Sequence, residues 1–230
     1  SVTLALGSNE TVYFGNCQCQ LFDFGDAPDP PYPTLAASNG ARHILGGGVY
    51  LGAGVDAEPD GQPSAGAGGD DTGVGSPVFG ALVNNDDEDG IIFKTALSPG
   101  ATAQVDVTVS AACTLSAWFD FNADGDWADM GEDLFPGGKA LTAGVNNLTF
   151  AVPIGATVGN SYARFRCTTD GALPYTGLAT DGEVEDYFVT IEVINAIPTL
   201  NEWGMIIFSL LIGIFAIFYM RKKAHGVKMA

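Results

Sequence analysis

Acidic and amide side chains with the spacing of a calcium loop are the first chemical signal in the chain. In the segment DFNADGDWADMGED, at positions 120–133, Asp120, Asn122 and Asp124 alternate and are followed by a glycine and by Asp126. Hard oxygen ligands at positions 1, 3 and 5, followed by a glycine that allows a sharp turn, form the first half of a calcium-binding loop. These four side chains are therefore predicted calcium ligands.

The second half of this segment departs from the EF-hand pattern. Position 12 is Gly131 instead of a glutamate that binds through both oxygens, so a standard EF-hand is excluded. The missing ligands must come from elsewhere in the chain. In DGEVEDY, Glu183 and Glu185 share strand parity with Tyr187, which places two carboxylates at the rim of the apolar face. A carboxylate removed from water needs a partner there.

Two partners remain open for this glutamate pair. A calcium ion can bridge it to the loop at 120–133, or Arg164 and Arg166 of the segment YARFR can pair with it. Taken alone, an acidic run such as NNDDEDG is more simply a solvated turn, because Asp, Asn and Gly are turn formers. Several such loops in a chain with so few arginines favour a cation, and Asp86 and Asp89 join the predicted ligands.

The charge balance excludes one large class of partners. The chain has 27 acidic residues against nine Lys and Arg, a formal net charge of -18, and four of the nine basic residues lie in the last ten positions. The rest of the chain is therefore strongly acidic. Such a surface repels nucleic acid and attracts cations, so no DNA or RNA partner is expected.

Few side chains are available for catalysis. The chain has two histidines, His43 and His225, and His43 in the segment GARHIL is expected to be structural. A carboxylate pair for glycoside hydrolysis is a remote alternative. A glycan-binding surface that uses Trp118 or Trp127 is a closer one, although either ring can equally serve packing. No enzymatic activity is expected.

A membrane-spanning helix is predicted near the C-terminus. Residues 205–220, MIIFSLLIGIFAIFYM, carry no charge and are followed at once by RKK, which favours a span over a buried helix. Because positive charges stay inside, the basic tail is expected in the cytoplasm and residues 1–200 outside. The bilayer is thus an expected partner. The residues expected to anchor or pack this helix are Trp203, Ser209, Gly213, Tyr219, Arg221, Lys222 and Lys223.

This topology requires export, and the strand-like opening SVTLAL is expected to follow a removed leader. Export leads to an oxidising compartment where cysteines pair. Cys113 and Cys167 are each in phase with the apolar residues of their strands, and they are the preferred disulfide. Cys17 and Cys19 are two positions apart and can close a local ring, bridge to another chain or hold a metal.

The strand pattern predicts an all-β fold, an antiparallel β-sandwich of the Ig-like or jelly-roll-like kind with a loop-rich N-terminal part and one C-terminal transmembrane helix. Predicted strands lie near 102–110, 113–122, 145–153, 161–169 and 184–194. The predicted divisions are a Gly/Pro/Asp-rich region at 1–95 packed on the sandwich, the sandwich at 96–195, a linker at 196–204, the transmembrane helix at 205–220 and a basic tail at 221–230.

Several motifs together resemble a known bacterial domain. They are DFGDAPDPPYPTLAASNGARHIL (23–45), VDAEPDGQPS (55–64), NNDDEDGI (84–91), WFDFNADGDW (118–127) and TDGEVEDYFV (180–189). This set resembles the GEVED domain, which is named after the residues found here at 182–186. The stretch IPTLNEWG (197–204), with the apolar helix and basic residues after it, resembles the IPTL-type C-terminal sorting signal of exported bacterial proteins.

The resemblance implies a secreted or surface β-sandwich module of the kind found in adhesin-like and matrix-associated proteins, without an established catalytic activity. With the calcium chemistry above, the expected function is that of a calcium-stabilised structural or interaction protein outside a bacterial membrane. It is expected to be an accessory subunit of a larger membrane-bound assembly, with other membrane or surface proteins as partners. The alternative is an adhesin or carbohydrate-binding module.

Overall fold

The computed structural model describes residues 20–69, 78–82, 86–194 and 200–226. The chain divides into two compact units, one ending at Val193 and one beginning at Ile194. Strands dominate the first unit, and a single α-helix makes up most of the second. The predicted all-β fold with one C-terminal helix is confirmed.

The described strands follow one another from near the start of the described residues to the end of the first unit. In chain order they are β1 (Leu21–Phe24), β2 (Arg42–Leu45), β3 (Gly54–Val55), β4 (Phe79–Gly80), β5 (Ile91–Phe93), β6 (Thr102–Val109), β7 (Cys113–Phe119), β8 (Lys139–Leu141), β9 (Gly144–Ala151), β10 (Gly159–Thr168), β11 (Leu178–Ala179) and β12 (Glu183–Ile191). A short 3-10 helix, Ala36–Ser38, lies between β1 and β2. The five strands predicted after residue 100 are β6, β7, β9, β10 and β12.

Two antiparallel sheets enclose the main core. One sheet has the order β12-β10-β7-β8 and the other β5-β6-β9. Strand β6 alternates strictly, so Val105 and Val107 are fully buried while Gln104 is exposed. The buried residues of β6 pack in one cluster with Leu115, Ala117 and other apolar residues of the facing sheet. Alternation thus brings the apolar faces of two sheets together, which is the predicted sandwich.

A disulfide joins two neighbouring strands within this core. Cys113 of β7 and Cys167 of β10 are bonded, with an S–S distance of 2.09 Å. The pairing predicted from strand phase is confirmed. The bond closes a loop of 54 residues, which in the chain-entropy description stabilises the fold by about 4 kcal/mol.

The region before the sandwich is built from short strands and loops. Strand β2 pairs with β1 on one side and, in parallel, with β11 on the other. Two isolated bridges add backbone contacts. Phe22 of β1 bridges to Glu58, and Leu51 bridges to Val109 of β6. The loop-rich N-terminal part is therefore joined to the sandwich by backbone contacts and by the side-chain contacts described below.

The C-terminal helix α1 spans Leu200–Gly226. Its stretch Trp203–Lys223 has 21 residues and a mean hydropathy of 2.2, and none of it is buried in the protein. At about 1.5 Å per residue it extends roughly 31 Å, which matches the hydrocarbon core of a bilayer. The chain is therefore a single-pass membrane-anchored protein. Residues 196–199 of the predicted linker lie outside the described residues, as do Cys17 and Cys19.

Candidate metal centre

Strand β12 begins with four consecutive buried residues, of which three are acidic. Glu183, Glu185 and Asp186 are each at most 1% exposed. The strand is preceded by Gly182, whose φ of 96° is left-handed and whose added Cβ would lie 1.8 Å from the carbonyl oxygen of Cys167. Only glycine fits this turn. The turn thus starts a strand whose acidic side chains enter the interior on both of its faces.

The side chains of the two β10 arginines lie on one face of the sheet, and those of Glu183 and Glu185 lie on the other face. Arg164 and Asp186 are direct partners in the sheet register, and Nε and a terminal nitrogen of Arg164 each donate to Asp186 over 2.6 Å. Arg166 donates to Nε2 of His43 over 3.0 Å and otherwise to backbone carbonyl oxygens. The alternative in which these arginines neutralise Glu183 and Glu185 is therefore wrong, because strand alternation turns them the other way.

Each acidic side chain of β12 accepts a hydrogen bond from a different part of the N-terminal region. The amide of Leu51 donates to Oε2 of Glu183. The amide of Gly90 donates to Glu185 over 2.8 Å, and the amide of Ala27 donates to Asp186 over 2.8 Å. The start of β12 is thus the strip on which three separate segments dock.

Five carboxylates, that of Glu183 among them, form two overlapping groups. One oxygen from each of Asp23, Asp87 and Glu183 lies within 4.8 Å of the others, and the same holds for Asp56, Glu58 and Asp87. Asp87 belongs to both groups. All but Asp56 are buried. We call these five residues the carboxylate centre.

Some oxygens of the carboxylate centre accept hydrogen bonds from backbone amides. The amide of Val184 donates to Oδ2 of Asp23 over 2.7 Å, and the amide of Phe24 donates to Oε2 of Glu58 over 3.0 Å. The other oxygens of Glu58 and Glu183, their Oε1 atoms, are buried and have no hydrogen-bond partner. A buried acceptor without a donor costs on the order of 1–3 kcal/mol, and more when it is charged.

Burial and like charges disfavour ionisation of these carboxyl groups. Burial raises the pKa of Glu183 well above its usual value, and the charges of Glu185, Asp23 and Asp87 add to this. Burial, a contact with the Asp56 carboxyl group and the neighbouring acids raise the pKa of Glu58 to about 12. The centre is therefore stable only if protons or cations lie between its oxygens.

The calcium loop predicted at 120–133, which we call the Asp120 loop, differs from the carboxylate centre in the hydrogen bonds that its buried carboxylate accepts. Asp120 is fully buried, and its two oxygens accept from the hydroxyl of Tyr32 over 2.6 Å and from the amides of Ala123 and Gly125 over 2.6 and 3.0 Å. Backbone amides and a tyrosine thus hold this carboxylate in place. Its role as a calcium ligand stays a prediction.

The other predicted ligands of the Asp120 loop are mostly exposed. Asn122 donates to Asp124 over 2.9 Å and to Asp129 over 2.6 Å. Asp126 accepts from the amide of Ala128 over 2.8 Å. Their role as calcium ligands stays a prediction.

Glu132, near the end of the same loop, is buried and accepts from the amides of Phe121 and Asp129. Burial raises its pKa to about 7. Sequence reasoning did not single out this side chain.

The two remaining predicted ligands lie in the segment that carries Asp87. Asp86 accepts from the amide of Glu88 over 3.1 Å. Asp89 accepts from the amide of Ala53 over 2.8 Å, and burial raises its pKa. Both are contacts that shape this loop, and calcium binding by either side chain stays a prediction.

A single ion does not bridge the Asp120 loop to Glu183. The amide of Asp120 donates to the carbonyl oxygen of Tyr162, whereas Glu183 is the sheet partner of Cys167. Tyr162 and Cys167 are five residues apart along β10, which is a distance of about 17 Å at 3.3 Å per residue. Calcium contacts its ligands at about 2.4 Å. A bridge from the loop to Glu183 is therefore wrong, whereas calcium binding by Glu185 stays a prediction. The loop and the carboxylate centre are separate regions.

The two tryptophans considered as sugar platforms are buried. Trp118 is 5% exposed and Trp127 is 2% exposed. The guanidinium of Arg164 lies 4.6 Å from the centre of the Trp127 ring, and the indole N–H of Trp127 donates to the carbonyl oxygen of Tyr162. Neither ring offers an open face to a glycan, so both serve packing.

His43 is structural, as expected. Its Nδ1 donates to the carbonyl oxygen of Asp181 over 2.7 Å, and its Nε2 accepts from Arg166. Burial and the neighbouring guanidinium of Arg166 hold its pKa well below the usual value. A neutral ring with both nitrogens engaged is not poised for acid–base catalysis.

Comparison with known families agrees with the motifs in the sequence. Residues 114–190, from β7 to β12, match the GEVED domain, and residues 195–222 match the IPTL-CTERM motif. No curated protein and no solved structure matches the chain. The four acids of the carboxylate centre other than Glu183 lie before the matched domain.

Proposed function

We propose that this chain, which carries a GEVED domain followed by an IPTL-type tail, is a non-catalytic structural or interaction protein that calcium stabilises outside a bacterial membrane. The matched domain and tail support an extracellular protein with a C-terminal sorting tail. The single apolar helix supports anchoring to the membrane.

The observation that carries the calcium proposal is the buried carboxylate centre. Two cationic side chains pair with carboxylates elsewhere, Lys94 with Asp106 and Arg164 with Asp186. Oxygen-only ligands suit calcium better than zinc or copper. An ion that binds only the folded chain adds free energy of unfolding by mass action, and calcium affinities of extracellular modules are about 10⁻⁴–10⁻³ M.

The proposed orientation places the GEVED domain outside and the basic residues after the helix in the cytoplasm. Arg221, Lys222 and Lys223 follow the apolar stretch directly, and the positive-inside rule retains such a cluster on the cytoplasmic side. An extracytoplasmic domain meets enough calcium to occupy weak sites. A domain anchored by one apolar helix fits an accessory subunit of a larger membrane-bound assembly.

The calcium proposal is tested by thermal unfolding of the intact protein in detergent. At a calcium concentration of about 100 times Kd, the expected gain in free energy of unfolding is about 2.7 kcal/mol. For a domain of this size that corresponds to a rise in Tm of about 5–10 °C over a chelator-treated sample. Magnesium at the same concentration is the control for ionic strength. Equal Tm values in calcium and chelator contradict the proposal.

The subunit proposal is tested by extraction from native membranes. Purification of the intact chain in mild detergent, followed by mass spectrometry, is expected to recover a fixed set of partner chains in constant ratio. The same purification after high-salt washing is the control for loosely bound protein. Recovery of the chain alone under both conditions contradicts a subunit role.

A further inference from the structure

The carboxylate centre consists of two overlapping groups of three acids. Asp23, Asp87 and Glu183 form one group, and Asp56, Glu58 and Asp87 form the other. Ligand oxygens that surround one calcium ion at about 2.4 Å are at most about 4.8 Å apart. The oxygens of each group lie within 4.8 Å of one another. Each group therefore has the dimensions of one ion site.

A buried oxygen without a partner marks each group separately. Glu183 of the first group and Glu58 of the second each have a buried Oε1 without a hydrogen-bond partner. Glu183 is fully buried and Glu58 is 6% exposed. Since chains rarely bury an acceptor without a donor, each of these oxygens indicates a missing positive partner.

We propose that the carboxylate centre binds two calcium ions that share Asp87 as a bridging ligand. The first ion is bound by Asp23, Asp87 and Glu183, and the second by Asp56, Glu58 and Asp87. This inference rests on the proposed calcium stabilisation and gives it a location. Four of the five ligands lie outside the predicted ligand set.

Charge explains why two ions fit better than one. Five ionised carboxylates carry five negative charges, and one calcium ion offsets only two of them in a buried site. Arg166 lies near enough for the charge of Asp23 to affect its pKa, but its N–H groups donate to His43 and to carbonyl oxygens. A second ion reduces the excess to a single charge, which this guanidinium offsets.

Coordination also favours calcium at both positions. Calcium accepts six to eight oxygen ligands in flexible geometry, so three carboxylates leave positions for water or for backbone oxygens. Asp56 is only half-buried, which gives the second ion access to solvent. Magnesium, which demands near-ideal octahedral geometry, is a poorer fit to an irregular group of carboxylates.

The proposed ions fasten the N-terminal region to the GEVED domain. Asp23 lies in β1, Asp56 and Glu58 follow β3, and Asp87 precedes β5, whereas Glu183 begins β12. The ligands thus come from three separate N-terminal segments and from one strand of the matched domain. Removing the ions leaves those segments to repel one another, so loss of either ion is expected to loosen the docking of the N-terminal region.

The test counts bound calcium on the intact protein in detergent by equilibrium dialysis and elemental analysis, at about ten times the wild-type Kd. Asp87→Asn is expected to lose two ions per chain relative to wild type, because it removes the shared ligand. Glu183→Gln and Glu58→Gln are each expected to weaken binding of one ion at least about 100-fold, which leaves that site mostly empty at this concentration. Glu192→Gln, at an exposed carboxylate outside the centre, is the matched control and loses none.

The count also separates failure of this inference from failure of the calcium proposal. If Asp87→Asn loses one ion or none, the shared site is overturned. If Asp124→Asn removes all bound calcium while the centre variants remove none, the ions lie in the Asp120 loop, and calcium stabilisation survives without this site. If the wild type binds no calcium, both proposals are wrong.

A folding check keeps the result interpretable. Circular dichroism and the absence of free thiol at Cys113 and Cys167 show whether a variant is folded. If Asp87→Asn does not fold, the single-site variants decide: Glu183→Gln and Glu58→Gln must each lose one ion, and the double variant two. Loss of the same single ion by all three overturns the proposal.

Discussion

The Asp120 loop and the carboxylate centre are both acidic, but they satisfy their carboxylates in different ways. In the loop, Asp120 accepts hydrogen bonds from Tyr32 and from amides three and five residues ahead of it. In the centre, Glu183 accepts one hydrogen bond from Leu51, and its second oxygen has no partner. Acid density along the sequence is thus a poor measure of where a cation is needed.

The difference follows from where the donors come from. A loop that turns on itself presents its own backbone N–H groups to a side chain at its start, so a short segment supplies several donors at once. Carboxylates that meet from distant segments bring few donors with them and repel one another. Whether a group of carboxylates needs a cation therefore depends on whether they come together from distant segments of the chain.

The largest expected difference between the two regions is in hydrogen exchange. In chelator, the amides of Leu51 and Phe24, which donate to the carboxylate centre, are expected to exchange about 100-fold faster than at calcium concentrations of 100 times Kd. The amides of Ala123 and Gly125, which donate to Asp120, are expected to change little. Exchange of the intact protein in detergent, followed by mass spectrometry of peptides, measures both.

Equal changes in hydrogen exchange in the Asp120 loop and in the carboxylate centre would contradict the difference between the two regions. If the amides of the Asp120 loop lose protection as strongly as Leu51 and Phe24, calcium stabilises the whole domain or the loop itself. If neither region responds, the centre is held by protons.

A smaller effect is expected from Tyr32→Phe, which removes one donor to Asp120. Hydrogen bonds to a charged group contribute about 2 kcal/mol. The substitution is expected to cost about that much in free energy of unfolding, equally in calcium and in chelator. Urea unfolding in both buffers measures it, with Tyr50→Phe, outside both regions, as the control. A cost confined to calcium shows that the loop binds the ion.

The pH dependence of stability tests the protonation of the buried glutamates. The folded-state pKa values of Glu58, Glu183 and Glu185 are raised above the unfolded ones, so the metal-free folded chain binds more protons. Their stabilisation is fully present below about pH 4.5 and is lost as pH rises. In chelator, the free energy of unfolding is expected to fall by about 1.4 kcal/mol per pH unit for each such proton.

Calcium is expected to remove the part of this slope that comes from Glu58 and Glu183, because these ligands are then ionised in the folded chain as well. Glu132, with a folded pKa of about 7, retains a slope of the same sign below neutral pH in both buffers. Urea unfolding between pH 5.5 and 8 measures the two slopes. Identical pH dependence in calcium and in chelator contradicts a metal at the centre.

Much of the fold was predictable from the sequence because its signals are local. Strand β6 alternates residue by residue, and Cys113 and Cys167 are in phase with the apolar residues of their strands. The apolar run before Arg221 is continuous, which is sufficient to predict the helix. Each of these signals lies within about twenty residues.

The carboxylate centre was not predictable because no local signal marks it. Asp23 lies within the short strand LFDF, and Asp56 and Glu58 lie in a run that is more simply a solvated turn. The pairing of Arg164 with Asp186 depends on the register of β10 against β12. One available signal was the parity of the acids in GEVED, which places two of them on one face and the third on the other.

The most direct measurement of the central claim is an anomalous difference map from crystals grown in calcium and measured at long wavelength. The account predicts one peak enclosed by Asp23, Asp87 and Glu183 and a second enclosed by Asp56, Glu58 and Asp87. A map without either peak, with the carboxyl groups hydrogen-bonded directly to one another through protons, would contradict it.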